Sequence, residues 1–304
     1  MVSFCISLFA VYSEDNAVMK FTKMQGAGND FLLIESIDTR RDWSKLAEAM
    51  CDRHFGIGAD GLLVILPSAK HDFLMRIFNS DGSDGGISGN GLRCAVKYFV
   101  DEGKAKPSKK EVSVDTTTSI KTATFAKKAG KVVNVKAGMG EPRFAAREIP
   151  VVAGRNPSKV KTMITYPVTV DVRKLELNLV SMGNPHAVYF YQGDVNKFPL
   201  ASLGPKVEHH KIFPERVNFE VARLLGNGKI EARTWERGAG ETLACGSGAC
   251  AITVAARLHG YIRDKATIKE PGGELEVEWS GAGEVFLSGP AETVFTGEWP
   301  GEGD

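Results

Sequence analysis

No stretch of roughly 18 consecutive apolar residues occurs in the chain, so no segment reads as a membrane-spanning helix. Neither sign of charge is in excess: 38 Lys and Arg against 37 Asp and Glu leave a formal +1. That balance argues against a broad electropositive surface for nucleic acid and against an acidic tail. Cysteine is sparse, and Cys5, Cys51, Cys94, Cys245 and Cys250 form no tight disulfide framework, which points to a reducing, cytoplasmic setting. Cys245 and Cys250 have no second pair at zinc-like spacing and the six histidines are scattered, so no metal site is expected. No lysine stands in a context that marks it as a pyridoxal phosphate anchor, and no organic cofactor is expected.

What is abundant is glycine, 33 of 304 residues or about 11% against a usual level near 7%. The length suggests two domains or one large one at about 150 residues each. With 43% hydrophobic and 25% charged residues the composition is that of an ordinary globular protein. Residues 2–12 are mostly apolar, yet no Lys or Arg precedes them and Ser13-Glu14-Asp15-Asn16 is a poor cleavage context for an export signal. They are expected to be an extension, or to reflect a start assigned upstream of Met19.

A regular pattern begins at Met19. Lys20 to Met24 and Phe31 to Ile37 read as strands around the turn Gly26-Ala27-Gly28-Asn29-Asp30. Asp42 is placed to cap a helix whose apolar positions Trp43, Leu46, Ala47, Met50 and Cys51 follow helical spacing. Strands are expected at Leu62 to Leu66 and Asp72 to Asn79. A helix from Leu92 follows, with the stripe Leu92, Ala95, Val96, Phe99 and Val100 and Gly103 as its closing glycine. Short strands fill Glu111 to Lys136. A boundary is placed just before the Pro- and Gly-punctuated stretch at Glu148 to Ser158. Beyond it, strands are expected near Val168 to Val172, Glu176 to Met182, His186 to Tyr191, Val217 to Ala222 and Lys229 to Trp235. A helix from Ala249 to His259, closed by Gly260, is apolar nearly all round and therefore buried on most sides.

The halves resemble copies. Each runs strands into an x-Gly-x-Gly turn that opens a buried helix: Ser88-Gly89-Asn90-Gly91 and Cys245-Gly246-Ser247-Gly248, offset by 245 − 88 = 157 residues. A pseudo-twofold pair of α/β lobes would set these turns facing each other across a cleft. A helix N-terminus presents unpaired N–H groups and about half a positive charge, so each turn is a candidate anion cradle. For a lone turn the plainer reading, that glycine only permits the turn, is preferred; two at equivalent places favour the cradle. Neither is a P-loop, because no Gly-Lys-Ser/Thr follows, and neither shows Gly-x-Gly-x-x-Gly closing a short strand. At the first position of its turn, Cys245 is expected to have its pKa lowered by the helix end, making a usable base or nucleophile. Cys94 and Cys250, inside helices, fit inert buried thiols. Glu236 and Arg237 supply a carboxylate and a guanidinium near the same strand end, and Arg237 could clamp a carboxylate in bidentate fashion. Asn184-Pro185 places His186 at a strand start, where it could tune a nearby thiol.

Several runs together resemble the diaminopimelate epimerase family, from Met19 to the C-terminus and in the family's order. They are Phe21 to Phe31, Arg53 to Gly61, Arg76 to Ser83, Ser88 to Cys94, Gly183 to His186 and Glu236 to Cys250. The resemblance implies an α/β (α+β) fold of two pseudo-symmetric lobes, each a mixed sheet wrapped around a central helix. The expected division is 1–18 as an extension, 19–146 as the N-terminal lobe, with the last strand at about 291–304 returning to it, and 147–290 as the C-terminal lobe. It implies a cofactor-independent isomerase that interconverts LL- and meso-2,6-diaminopimelate in lysine and cell-wall precursor synthesis, dimeric and cytoplasmic. By resemblance, Asn29, Asn79, Asn184 and Asn218 hold substrate amino and carboxyl groups. Gly89-Asn90 and Gly246-Ser247 cradle the α-carboxylate, assisted by Glu236 and Arg237. His186 and Glu236 modulate the catalytic thiol.

Inverting a stereocentre this way needs acid–base groups on both faces of the carbon. Family members use two cysteines; this chain has Cys245, but Ser88 stands at the other position, and a hydroxyl is a far weaker acid than a thiol. Three readings stay open. Ser88 relays a proton, directly or through water; or the chain is a relative of altered specificity; or it is a silent ligand-binding paralogue. Related families with this fold include hydroxyproline epimerases and dehydratases with serine or threonine at one position. Cys94 lies about 9 Å of helical rise further on and is poorly placed to substitute. Gly61 stands where some members carry a glutamine that touches the ligand. Asn79 and Asn218, which match the distal-recognition positions, favour the parent substrate.

Overall fold

The computed structural model describes residues 18–86, 88–106, 108–117, 119–152 and 165–300. The apolar segment at 2–12, with Cys5, and most of the punctuated stretch after Val152 lie outside them. Strands β1 (Met19–Gly26) and β2 (Asn29–Glu35) form a hairpin over Ala27-Gly28, whose positive φ values of 53° and 81° suit a two-residue turn. Helix α1 (Trp43–Cys51) starts where the Asp42 carboxylate accepts the Lys45 N–H at 3.1 Å, and it buries the apolar stripe that its spacing predicts. β3 (Gly61–Leu66) and β4 (Phe73–Asn79) lead to helix α2 (Gly89–Asp101), and β5 (Glu111–Thr116), β6 (Ile120–Lys128) and β7 (Lys131–Gly138) complete the first half.

The second half runs β8 (Tyr166–Val170), β9 (Arg173–Ser181), β10 (Pro185–Phe190), a single 3-10 turn at Val195–Lys197, α3 (Leu200–Glu208), β11 (Asn218–Gly226) and β12 (Lys229–Glu236). It continues through β13 (Gly240–Thr242), α4 (Gly246–Leu258), β14 (Lys265–Glu270), β15 (Gly273–Glu278), β16 (Phe286–Gly289) and β17 (Glu292–Trp299). Among the described residues no helix is long and apolar enough to cross a membrane.

Strand pairing states the internal repeat directly. From β17 through β1, β2, β3, β4, β5 and β6 to β7 the pairings are antiparallel, antiparallel, parallel, antiparallel, parallel, antiparallel and antiparallel. The same series runs from β8 through β9, β10, β11, β12, β14 and β15 to β16. An antiparallel pairing of β7 with β16 joins the two series. The last strand, β17, thus holds in the first lobe the place that β8 holds in the second.

Each lobe wraps its sheet around one central helix, α2 or α4. Every residue of α4 from Gly248 to Ala256 is buried, as a helix without a polar face requires. The hydroxyl of Thr253 is satisfied by the Ala249 carbonyl at 2.9 Å. In α2 the expected stripe is buried, and so are Arg93, Cys94 and Lys97, which the stripe does not contain.

Both central helices begin one turn earlier than their apolar patterns suggest. The glycine turns are the first helical turn, not a lead-in to it, because the Ser88 and Cys245 side chains already cap them. β2 stops at Glu35, leaving Ile37 exposed, and β8 stops at Val170, where Asp171 turns the chain with φ 53°. Pro205 inside α3 hides that helix from a reading by pattern.

The two helix N-termini abut. A Cβ placed on Gly89 or on Gly246 would stand 3.0 Å from Leu287 Cδ2 in either case, and one on Gly246 would lie 3.8 Å from Gly89 Cα. Leu287, fully buried on β16, is the side chain between them. We expect Leu287→Ala to lower unfolding free energy by about 2–5 kcal/mol in urea titrations, because it empties a packed joint. A loss within about 0.5 kcal/mol would show that the joint collapses without cost.

Candidate active site

The site is assembled on the first turns of α2 and α4. Ser88 (φ −125°, ψ 124°) and Cys245 (φ −121°, ψ 109°) hold the same extended cap conformation. The Ser88 hydroxyl accepts the Gly91 N–H at 3.1 Å, and the Cys245 sulfur accepts the Gly248 N–H at 3.3 Å. Ser88 is half-buried and Cys245 is buried.

A hydrogen-bonded chain leads away from the thiol. Ser247 Oγ lies 3.5 Å from Cys245 Sγ and accepts from Asn184 Nδ2 at 3.4 Å. Asn184 Oδ1 meets His186 Nε2 at 2.9 Å, and His186 Nδ1 meets Glu220 Oε1 at 2.6 Å. An amide oxygen only accepts, so Nε2 carries hydrogen, and a single proton is held between Nδ1 and the Glu220 carboxyl. Both members of that pair are fully buried, and Glu220 Oε2 has no hydrogen-bond partner among the described residues. From the strand-end side, Glu236 Oε1 accepts the Thr242 hydroxyl at 2.6 Å. Burial raises the Glu236 pKa, while hydrogen bonds from Thr242 and from the Cys245 thiol work the other way.

A third carboxyl lies beneath the cap. The Cys245 N–H is 3.2 Å from each oxygen of Glu270, and Thr234 Oγ1 donates to Glu270 Oε1 at 3.1 Å. Complete burial pushes Glu270 up to about 8. These surroundings correct the expectation that the helix end lowers the Cys245 pKa. Burial, followed by the charges of Glu236, Glu220 and Glu270, raises it well above its ordinary value. The Gly248 N–H is a local dipole, and desolvation with three nearby carboxyls outweighs it. The resting group is a thiol. Cys94 and Cys250, buried within their helices, are both raised by desolvation, Cys94 to about 12 and Cys250 further still.

The lobes differ in what lies under each helix. Leu63 pairs with Ile77 where Glu220 pairs with Thr234, at the 157-residue offset. A Cβ on Gly91 would meet Leu63 Cδ2 at 3.0 Å, and one on Gly248 would meet Glu220 Oε1 at 3.0 Å. Following the registers, Phe31 occupies the place of His186, Thr116 that of Glu270 and Asn79 that of Glu236. The ionisable groups cluster under Cys245, while the floor under Ser88 is largely apolar.

The remaining expected residues divide. Asn90 Nδ2 reaches Asn29 Oδ1 at 3.3 Å and the Ala244 carbonyl at 3.5 Å, so Asn29 and Asn90 belong to the joint. Asn29 Nδ2 is held by Asp60 at 2.6 Å, and Asp60 in turn pairs with Arg53 at 2.8 Å. Asn218 is buried, donating to the Pro185 carbonyl at 2.9 Å and accepting the Arg237 N–H at 2.8 Å. Asn79 is exposed at the end of β4 and donates to Ser83 Oγ at 2.9 Å. The Arg237 guanidinium is exposed and donates to the Glu215 carbonyl at 3.2 Å. Gly61 lies so near the Phe78 carbonyl that an added Cβ would stand 2.6 Å away. Glu220, Glu270 and Arg93 were not singled out from sequence. Glu220 and Arg93 interrupt otherwise apolar runs, but burial is what gives those interruptions meaning. Among the described residues no group of His, Cys, Asp and Glu is arranged to hold a metal ion.

Glu270 gives the site a signature in stability. Its carboxyl ionises near 4.5 when unfolded and at about 8 when folded, so between those values the native state holds a proton that the unfolded chain has released. Stability therefore falls as pH rises through that window, by up to about 1.4 kcal/mol per unit. Glu270→Gln keeps an acceptor for the Cys245 N–H but cannot ionise. Urea unfolding from about pH 5 to about pH 8 is expected to show a flatter dependence in this variant than in the parent. Identical slopes would assign the titration to another group.

Comparison with known proteins agrees with this architecture. The family described as diaminopimelate epimerase matches residues 21–145 and 178–294. A diaminopimelate epimerase of Acetivibrio thermocellus is 45% identical over 282 residues, covering 92% of this chain and 98% of that protein. One of Methanococcus maripaludis is 44% identical over 282 residues, covering 92% and 99%. Among solved structures, a probable proline racemase of Agrobacterium radiobacter superposes with a TM-score of 0.68 at 16% identity, covering 92% of each chain. A hydroxyproline epimerase of Agrobacterium vitis does so with a TM-score of 0.68 at 14% identity, covering 93% of this chain and 92% of that one. At such identities the structures speak to the fold alone, whereas the sequence matches over nearly the whole regular part show that the chain belongs to the diaminopimelate epimerase family.

Proposed function

We propose that this isomerase interconverts LL- and meso-2,6-diaminopimelate by removing and re-adding the α-proton, with Cys245 and Ser88 on opposite faces of the reacting carbon. The observation that carries the reading is the apposition of two equivalent helix N-termini, each capped by one of these side chains. The free N–H groups at Gly89-Asn90 and Gly246-Ser247 receive the α-carboxylate, and the two helix ends stabilise the charge that gathers on it as the carbanion forms. Asn29, Asn79, Asn184 and Asn218, with Arg237, hold the other charged groups of the substrate.

Cys245 rests as a thiol and so begins as the acid of the pair. To serve as base it passes its proton to Glu236, whose carboxyl it already contacts. His186, paired with Glu220 and tied to Ser247 through Asn184, sets the field in which that transfer occurs. Ser88 has Leu63 and Ile77 beneath it in place of a carboxyl and a hydroxyl. It therefore relays a proton through water or directly, and epimerisation is slower than with a thiol pair. No organic cofactor enters this scheme. The two catalytic lobes are assigned to 19–146 with the returning strand, and to 147–290. The working form is assigned as a cytoplasmic homodimer serving lysine and peptidoglycan precursor synthesis.

Proton NMR of LL-diaminopimelate in heavy water, with chiral separation of the product, tests the reading. We expect deuterium at the α-carbon together with the meso isomer. Exchange without inversion would mean that Cys245 works alone from one face. Absence of both would move the chain to another amino acid or to ligand binding without turnover. Cys245→Ala is expected to lower turnover by about 100-fold or more. Ser88→Cys should retain or raise it, and an inactive but folded Ser88→Cys would remove Ser88 from the face opposite Cys245.

A further inference from the structure

Arg93 is completely buried, and its three hydrogen bonds go to neutral oxygens: Nη2 to Asn90 Oδ1 at 2.9 Å, Nη1 to the Gly89 carbonyl at 3.3 Å and Nε to the Pro290 carbonyl at 3.2 Å. The other buried cations differ, since Lys23 pairs with Asp30 and Lys97 with Asp101. Among the described residues no carboxylate lies within ion-pair distance of it, Glu270 acting on it only from further away, and a guanidinium buried in this way is costly to the fold. Room is made by glycines on two strands: a Cβ on Gly26 would lie 3.3 Å from Nη2, and one on Gly289 would lie 3.1 Å from Nε. The equivalent position in the second lobe, 157 residues on, is Cys250, so the device exists once.

We propose that Arg93 is a positioning residue of the carboxylate cradle, acting through Asn90. By occupying Asn90 Oδ1 it commits the amide group of that side chain to point across the joint. There Nδ2 meets the carbonyl of Ala244, the residue before Cys245, and the oxygen of Asn29. Its second bond fixes the Gly89 carbonyl in the first turn of α2. One buried cation thus ties the Ser88 turn to the Cys245 turn, so that their N–H groups converge on one anion. Burial lowers the Arg93 pKa to about 10, which leaves it charged at neutral pH. The positive charge also stands behind the helix ends where the substrate carboxylate would sit. This inference rests on the carboxylate-cradle reading above.

The test is a double-mutant cycle on epimerisation of LL-diaminopimelate by the full chain. Arg93→Met preserves much of the volume and removes the charge and donors. We expect its kcat to fall about 100-fold, the scale of an ångström-level misplacement, with a smaller change in KM. Asn90→Ala should show a similar loss, and the double variant should be no slower than the slower single variant, because both act through one amide. Arg93→Lys, which keeps the charge and some donors, should recover part of the activity. Independent losses that multiply, or an Arg93→Met enzyme as fast as the parent, would overturn the proposal. If the parent does not turn over diaminopimelate, the functional reading fails, and a crystal structure of Arg93→Met still decides the positioning. Asn90 turned away from Ala244 supports it, and an unmoved Asn90 refutes it. If Arg93→Met does not fold, Arg93→Cys, the residue that the second lobe carries at the equivalent position, takes its place in both the cycle and the crystal.

Discussion

The arrangement depends on bringing two helix N-termini almost into contact. Such ends carry unpaired N–H groups and partial positive charge, so they repel each other and call for an anion between them. They are held together here by β7 pairing with β16, by Leu287 packed against both first turns, and by glycine at 89 and 246, where any side chain would strike that leucine. Two large buried cores around α2 and α4 flank this juxtaposition. Two facing helix ends with a cap residue on either side are the direct result, and the chemistry proposed for the site uses little else.

Symmetry in the backbone is broken in the side chains. The two lobes share strand order, pairing sense and helix position, yet the second has His186, Glu220, Thr234 and Glu270 where the first has Phe31, Leu63, Ile77 and Thr116. The thiol proposed for acid–base work therefore sits over ionisable groups able to exchange and hold protons. The hydroxyl opposite sits over hydrocarbon. What the first lobe contributes instead is a buried charge, Arg93, bonded to Asn90 in the first turn of α2. A duplicated scaffold thus carries a cluster of ionisable groups beneath one helix and a buried guanidinium in the other.

Much of the fold was legible because local physics writes it plainly. Alternation at β1 to β4, the Asp42 cap, the helical spacing of α1 and the all-apolar α4 each follow from a few neighbouring residues. The repeat was visible as two similar turns 157 residues apart. Boundaries were less legible: whether Gly89 and Gly246 lie in a turn or a helix depends on a cap hydrogen bond that closes only when the side chain folds back. α3 was hidden by Pro205, which lies within it. Of the site, residues from separate characteristic runs lie together in several cases, Cys245 with Ser247, Asn184 and His186 among them. Arg237 and Asn79, in runs just as characteristic, are exposed, and their side chains donate to the Glu215 carbonyl and to Ser83 Oγ.

The sequence by itself determined the family, the duplicated α/β plan and the identity of the two capping residues, because each is encoded in contiguous residues of distinctive type. Only the tertiary structure decided the electrostatics. Glu220 lies two residues after Asn218, and Glu270 lies far from either cap in the chain. Their effect on Cys245 comes from being brought beneath it by parallel strand pairing and sealed from water. A helix end alone would favour the thiolate, and burial with three carboxyls reverses that. Desolvation and charge proximity belong to the folded assembly, and no local stretch of sequence carries them.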